Sequence, residues 1–238
     1  MIVAIPSKGR PAGVKSAKVI PSASVFVPDH EVADYRACGV SNVEGVPDNI
    51  KGITPTRNWI LDNTDDSRVV FIDDDVAAHG WFDLYDHSLK QKKLTEEQWL
   101  TEWEKLFDVT EGMQLRVWGV NSEGGPRSVY PYKPFIWHTY LTASCMGMLN
   151  NGLRFDESFT VKEDYELGLR CLHEDGAIVG CRYLFWRNGH WVGEGGCKDY
   201  RTDKIELDAI MQLTRKYPGY IRQVTKGGSG YSIMLNLM

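Results

Sequence analysis

The chain reads Val69-Val70-Phe71-Ile72-Asp73-Asp74-Asp75-Val76, an apolar run that leads directly into three consecutive acids. An uninterrupted apolar run is typical of a strand that is buried on both faces. Because alternate residues of an extended chain point the same way, Asp73 and Asp75 can hold one cation while Asp74 faces elsewhere. Hard oxygen ligands favour Mg²⁺ or Mn²⁺, which often share their coordination with substrate phosphates. The run therefore indicates a metal and a nucleotide ligand, with an inert acidic loop as the alternative.

The composition is that of a globular protein. Of 238 residues, 42% are hydrophobic and 25% are charged, so a sizeable core is expected and we predict a single domain over residues 1–238. The opening Met1–Ile5 is too short for a signal-peptide core, and no later segment is as apolar as a membrane span, which favours a cytoplasmic location. Five cysteines without a Cys-x-x-Cys pair favour reduced thiols over a disulfide framework or a zinc site.

Charge is unevenly distributed along the chain. The formal net charge is −5, yet the part from Arg182 onward has nine Lys/Arg against five Asp/Glu, which is +4 and leaves −9 for the rest. This basic quarter suits contact with phosphates, and it is equally typical of a solvated surface.

Strand-like and helix-like segments alternate along the first half of the chain. Apolar runs predict strands at 2–6, 24–27 and 69–72, with a helix before the third that opens at Thr54 as cap and Pro55 in its first turn. Two more strand-like runs lie at 115–120 and 140–149. This alternation predicts an α/β fold with a mostly parallel mixed sheet flanked by helices, whose ligands gather at the carboxyl ends of the strands.

Further helices are marked by their first residues. Thr95-Glu96-Glu97-Gln98 and Thr160-Val161-Lys162-Glu163 both match capping boxes, and a last long helix is expected from about Thr202 to Tyr217. The second box assigns Glu163 to the cap and leaves Asp164 free in the first turn. A helix N-terminus favours the ionised carboxylate, so Asp164 is a candidate general base, although both acids can simply complement the helix dipole.

Two loops add candidate ligands. The first strand ends in Pro6-Ser7-Lys8-Gly9-Arg10, where backbone N–H groups, Ser7 and Arg10 are suited to a ribose or a diphosphate; a plain turn has the same composition. The second loop is Trp186-Arg187-Asn188-Gly189-His190-Trp191. Its imidazole can complete the metal shell begun by Asp73 or Asp75, although a lone histidine is more often an ordinary surface or core residue.

In this order, the motifs resemble the GT-A type of nucleotide-sugar glycosyltransferase, and the resemblance covers most of the chain. It rests on the strand and loop at Ile5-Pro6-Ser7, the helix at Arg57-Asn58-Trp59, the Asp-x-Asp motif at Asp73–Asp75, the Glu163-Asp164 pair and the late His190. The combination of Pro-Ser-x-x-Arg, Arg-Asn-Trp-Ile-Leu and Phe-Ile-Asp-Asp-Asp is most similar to the phage TET-associated glycosyltransferases, which implies hydroxymethylated pyrimidines in DNA as acceptors.

The resemblance implies a Rossmann-related GT-A fold, a UDP-sugar donor and a role for each motif. Residues 1–80 would form the half that holds the nucleotide-sugar and the metal, and residues 81–238 the acceptor half. Mn²⁺ or Mg²⁺ would be held by Asp73, Asp75 and His190. Asp164, paired with Glu163, would remove a proton from the acceptor hydroxyl, with inversion at the sugar. The donor-binding residues would be Pro6, Ser7, Arg10, Asp29, Arg57, Asn58, Asp73 and Asp74.

Four residues are expected on the acceptor side: Trp137, Trp186, Arg187 and Trp191. The tryptophans can stack on a sugar or a flipped base, and core or interface packing explains them equally well. A DNA acceptor would meet the basic stretch of Arg182, Arg187, Lys198, Arg201 and Lys204.

Three alternatives share parts of this pattern. A GT-A transferase that builds a cell-surface polysaccharide would use the same donor residues with another acceptor face. A sugar nucleotidyltransferase would also use metal-bound acids, but Pro6–Arg10 is a poor version of its glycine-rich loop. The third alternative is a catalytically inactive GT-A-like module that binds DNA or protein.

Overall fold

The computed structural model describes residues 1–85, 89–122, 129, 132–189, 202–225 and 231–235. The strands are β1 (Ile2–Pro6), β2 (Ser24–Pro28), β3 (Val43–Val46), β4 (Arg68–Ile72), β5 (Val76–Phe82), β6 (Gln91–Lys92), β7 (Val117–Asn121), β8 (Phe135–Ile136), β9 (Cys145–Leu149), β10 (Val179–Asn188), β11 (Ile221–Thr225) and β12 (Tyr231–Leu235). The helices are α1 (Ser16–Val19), α2 (Val32–Ala37), α3 (Ile53–Asp62), α4 (Glu96–Gly112), α5 (Glu163–Asp175) and α6 (Asp203–Lys216). No described helix has the length and apolar character that crossing a membrane requires.

The described strands β1–β10 form one mixed sheet. Its order is β3-β2-β1-β4-β9-β7-β10-β5-β6, with β8 paired to β10, while β11 and β12 form a separate hairpin. The pairings among β1, β2, β3 and β4 are parallel. Strands β5, β8 and β9 are antiparallel to the strands with which they pair. The predicted α/β fold with a mostly parallel mixed sheet is confirmed.

The core lies on both faces of this sheet because side chains alternate along each strand. In β1, Val3 and Ile5 pack on the face covered by α4, whereas Ala4 packs on the face that also receives residues of α3 and α5. In β4, Val70 and Ile72 face one cluster and Phe71 the other. The acid turn, residues 73–75, therefore leaves a strand that is fixed on both sides.

The capping box at Thr95 is confirmed, and so is the last long helix, α6. Thr202 caps α6, because its side chain accepts from the amide of Ile205. Two expected caps are wrong. Helix α3 begins after Gly52, because the Thr54 hydroxyl donates instead to the carbonyl of Phe159 at 2.8 Å. Helix α5 begins after Lys162, which is left-handed with φ 62° and makes no side-chain cap.

Candidate active site

The acid turn connects β4 to β5 at the carboxyl end of β4 and is fixed through its backbone. The amide of Asp73 donates to the carbonyl of Ser144 at 3.2 Å, and the Asp73 carbonyl accepts from the Ser16 hydroxyl at 2.5 Å. At the other end, the amide of Gly189 donates to the carbonyl of Asp75 at 2.9 Å. Contacts from three separate parts of the chain thus hold the turn in place.

The middle acid, Asp74, binds the first loop of the chain. Its carboxylate is buried and accepts from the Ser7 hydroxyl at 2.5 Å and from the Arg10 guanidinium at 2.8 Å. Tyr35 contacts the same loop, because its hydroxyl lies 2.9 Å from the Ser7 hydroxyl and accepts from the Arg10 amide at 3.0 Å. Internal contacts occupy both side chains and Pro6 beside them is also buried. The roles of Pro6, Ser7 and Asp74 as donor ligands stay predictions. Arg10 remains partly exposed.

Asp73 lies between two donors. One carboxylate oxygen accepts from the Arg57 guanidinium at 3.4 Å, and the other accepts from the side-chain amide of Asn188. Burial raises the pKa of Asp73 to about 7, and the charges of Asp74, Asp75 and Asp164 add to this while Arg57 opposes it. A cation at the turn would favour the ionised form.

Arg57 is an internal counterion in this structure. It is 2% exposed, and its second ion pair joins Glu163 at 2.5 Å. Its guanidinium also lies over the rings of Phe71 and Phe155, at 5.8 and 5.5 Å from their centroids. Glu163 is buried too, and burial together with the neighbouring Asp164 charge raises its pKa. Neighbouring side chains thus enclose Arg57, and its contact with a diphosphate stays a prediction.

Asp164 is the more accessible acid of the predicted pair. One carboxylate oxygen accepts from the amide of Ala143 at 3.0 Å, and the other accepts from the amide of Tyr165 at 2.8 Å. The side chain stays partly exposed, unlike Glu163. Two backbone donors therefore orient a carboxylate that a substrate hydroxyl can reach.

Asn58 and Trp186 have structural positions. Asn58 is buried and bonds the amide and the carbonyl of Phe155, at 2.8 and 3.0 Å, so it fixes the segment before α5. Trp186 is 0% exposed and packs on the rings of Trp99 and Trp103, with centroids 5.4 and 6.2 Å away. Core packing, the alternative for Trp186, describes its surroundings, and the binding roles of both residues stay predictions.

Asp29, Trp137 and Arg187 are exposed, as a binding role requires, and their roles stay predictions. Trp137 stacks on Phe135 with centroids 6.3 Å apart. His190 and Trp191 lie outside the described residues, as do Lys198 and Arg201.

The acid turn fits a divalent cation through one residue in particular. The Asp75 carboxylate is partly exposed, and within the described ranges it has no hydrogen-bond or ion-pair partner. No three His, Cys, Asp or Glu side chains of the described part form a ready ligand set, and the third expected ligand, His190, is beyond it. An uncommitted hard oxygen donor next to Asp73 suits Mg²⁺ or Mn²⁺, with waters and phosphates as the other ligands.

Comparisons with known proteins agree with this geometry. A sequence model of the family described as TET-Associated Glycosyltransferase matches residues 1–196. Curated proteins give no match. A structure described as a mycobacterial protein is 13% identical, with a TM-score of 0.51 over 98% of this chain and 82% of that one. Glucosyl-3-phosphoglycerate synthase from Mycobacterium tuberculosis, in complex with Mn²⁺, UDP and phosphoglyceric acid, is 14% identical with a TM-score of 0.51, over 98% of this chain and 85% of that one. These likenesses show the GT-A fold.

Proposed function

Because the chain belongs to the TET-associated glycosyltransferase family, we propose that it moves a sugar from a nucleotide-diphosphate donor to a 5-hydroxymethylpyrimidine in DNA. The chain is a glycosyltransferase by family, and the proposal concerns its donor, its acceptor, its metal and its stereochemistry. A UDP-sugar donor is supported by the fold likeness to a synthase crystallised with UDP and Mn²⁺.

The observation that carries the proposal is the orientation of Asp164 by two backbone amides. As the acceptor oxygen bonds to the anomeric carbon, its proton passes to Asp164. The bond from that carbon to the diphosphate breaks on the opposite face, so the nucleoside diphosphate leaves and the configuration inverts. Glu163, buried against Arg57, sets the position of the helix start that carries Asp164.

The metal would be held by Asp75, with Asp73 and His190 as further ligands. When bound, Mn²⁺ or Mg²⁺ would neutralise the charge that develops on the departing diphosphate. Arg10, partly exposed beside Asp74, is suited to contact the same phosphates.

The acceptor is tested with three oligonucleotides that differ at one base. The purified protein, a labelled UDP-sugar and Mn²⁺ are incubated with strands that carry cytosine, 5-methylcytosine or 5-hydroxymethylcytosine at the same position. Label is expected only on the hydroxymethylated strand, because the other two lack the accepting hydroxyl. Free saccharides form a fourth arm, and label on saccharide without label on DNA would favour a polysaccharide transferase instead.

A further inference from the structure

A cleft of about 390 Å³ runs from the acid turn along β5. Its walls come from the start of α1, from residues 76–79 of β5 and from residues 91–93 at β6, with Phe185 of β10. We infer that this cleft binds the sugar-phosphate backbone of the nucleic-acid acceptor. The inference rests on the proposed function for the identity of the acceptor, but the cleft's own residues carry the argument for phosphate binding.

The cleft is continuous with the candidate active site. Val76 in its wall directly follows Asp75. Lys15, also in its wall, precedes Ser16, whose hydroxyl donates to the carbonyl of Asp73. A strand in the cleft therefore lies beside the acids, within reach of a base that leaves the stack.

The charge of the cleft is opposite to that of the whole chain. Among the described residues that line it are three lysines, Lys15, Lys92 and Lys93, and no acid, whereas the chain carries −5 overall. Lys92 is already held by Asp83 at 2.6 Å and lies over the ring of Trp81. Lys15 and Lys93 are exposed, and within the described parts of the chain neither forms an ion pair.

The remaining wall suits a sugar-phosphate chain. Val76, Ala77, Ala78 and Phe185 give apolar surface between the cations. His79 adds a neutral polar group: its Nδ1 accepts from the indole N–H of Trp99 at 3.1 Å, and burial and the charge of Lys93 lower its pKa. Each lysine acts as a flexible point charge, and these lysines lie on separate elements. They therefore suit a ligand with several spaced phosphates better than the single diphosphate of a donor.

The test measures binding and not transfer. Fluorescence anisotropy of a fluorescein-labelled single-stranded DNA with ordinary cytosines gives the affinity over a range of salt concentrations. The double variant Lys15→Gln/Lys93→Gln is expected to bind about tenfold or more weakly at low salt. The slope of log K against log salt should fall by about 1.4, because each lost contact with a single strand releases about 0.7 of a counterion.

The matched control is Lys18→Gln/Lys105→Gln, which removes the same charge outside the cleft. Lys18 is exposed on α1, and Lys105 is paired with Glu102 on α4. This control should bind DNA as the parent protein does, and all proteins should keep the same melting temperature and the same calorimetric affinity for UDP with Mn²⁺.

Four outcomes would overturn the inference: no DNA binding by the parent protein, equal losses in both double variants, no loss in either, or a loss confined to UDP binding. Transfer to hydroxymethylated DNA is measured separately. DNA binding that depends on the cleft, without transfer, would contradict the proposed reaction and leave the cleft assignment intact. Transfer without DNA binding that depends on the cleft would contradict the cleft assignment and leave the proposed reaction intact.

Discussion

At the scale of single residues, five acids near the site have different surroundings and therefore different uses. Asp74 is bound to the first loop, Glu163 is enclosed with Arg57, and Asp73 lies between Arg57 and Asn188. Asp75 and Asp164 keep partly exposed carboxylates, and the Asp73 side chain is partly exposed as well, so these three are suited to meet a ligand directly. Their environments thus separate metal binding from proton transfer.

Asp164→Asn should stop transfer while donor binding is kept. The amide preserves the size of the side chain and an oxygen for the Ala143 or Tyr165 amide, but it cannot accept the acceptor proton. Loss of a general base lowers kcat by about 10² to 10⁴. The measurement is kcat for labelled transfer, with the Kd for UDP-sugar from calorimetry. The control is Asp203→Asn, which changes an acid in the first turn of α6. Undiminished transfer by the Asp164 variant would contradict the assignment of Asp164 as the base.

Arg57→Gln should destabilise the protein through the two acids that it leaves unpaired. Removing one partner of a buried ion pair costs about 3 to 5 kcal/mol, because the other charge stays buried. The double variant Arg57→Gln/Glu163→Gln removes one of those charges and should be more stable than the sum of the single losses predicts. Urea unfolding of the four proteins measures this coupling, and additive losses would contradict it.

Sequence patterns identify the residues whose position follows from a nearby element. Asp75 is the third residue after a predicted strand and Asp164 lies in the first turn of a predicted helix, so both could be found. The partner of Asp73 could not, because Asn188 is 115 residues away and only the sheet brings them together. Tyr35 was missed for the same reason. The burial of Arg57 could not be foreseen, because a buried counterion and a phosphate ligand have the same sequence signature.

At the scale of elements, α5 and α6 are joined by an ionic cluster in which Glu166 is buried and Lys216 is exposed. Glu166 is 0% exposed and accepts from Lys216 and from the Tyr217 hydroxyl, both at 2.8 Å. Lys216 also donates to Asp156, before α5, at 2.7 Å. The end of α6 is thereby attached to the helix that carries Asp164. The start of α5 departs from its expected capping box because Glu163 pairs with Arg57.

This cluster predicts an acid-dependent loss of stability. Burial opposes the shift, but Lys216 and Ser158 lower the pKa of Asp156 to about 2, against 3.8 for a free carboxyl. Because the folded pKa is the lower one, the contribution is present above about pH 4 and is lost as the pH falls toward 2. This contribution of Asp156 to the free energy of unfolding is about 2 kcal/mol.

Asp156→Asn should be less stable than the parent at pH 6 by about this amount, and the difference should vanish near pH 2. The unfolding free energy from urea titrations at several pH values measures it. A difference that is independent of pH would show that Asp156 acts without its charge.

At the scale of the whole molecule, one sheet receives strands from residues 2 to 188, and β11 and β12 form a separate hairpin. β1–β4 come from the first 72 residues, and β7, β9 and β10 complete the sheet beside them. The acid turn leaves β4 for β5, which pairs on the far side of β10. The sheet supports the expectation of a single domain over residues 1–238, with halves at 1–80 and 81–238, and this division stays a prediction.

Ligand binding at the acid turn should therefore stabilise the whole fold. At a hundred times its Kd, a ligand that binds only the folded state adds about 2.7 kcal/mol, which raises the Tm of a domain this size by roughly 5 to 10 °C. UDP with Mn²⁺ should produce this rise in a thermal melt, and EDTA should abolish it. Asp75→Asn should lack the rise while Asp203→Asn keeps it; a full rise in EDTA would contradict metal-dependent donor binding.

The contacts of Asp74 have a mechanical consequence. Ser7 and Arg10 lie 67 and 64 residues before it in the sequence, yet both donate hydrogen bonds to its carboxylate. A donor that displaces the first loop would therefore also move Asp74, and with it the neighbouring Asp73 and Asp75. Binding of the donor and alignment of Asp73 and Asp75 would then be coupled through Asp74.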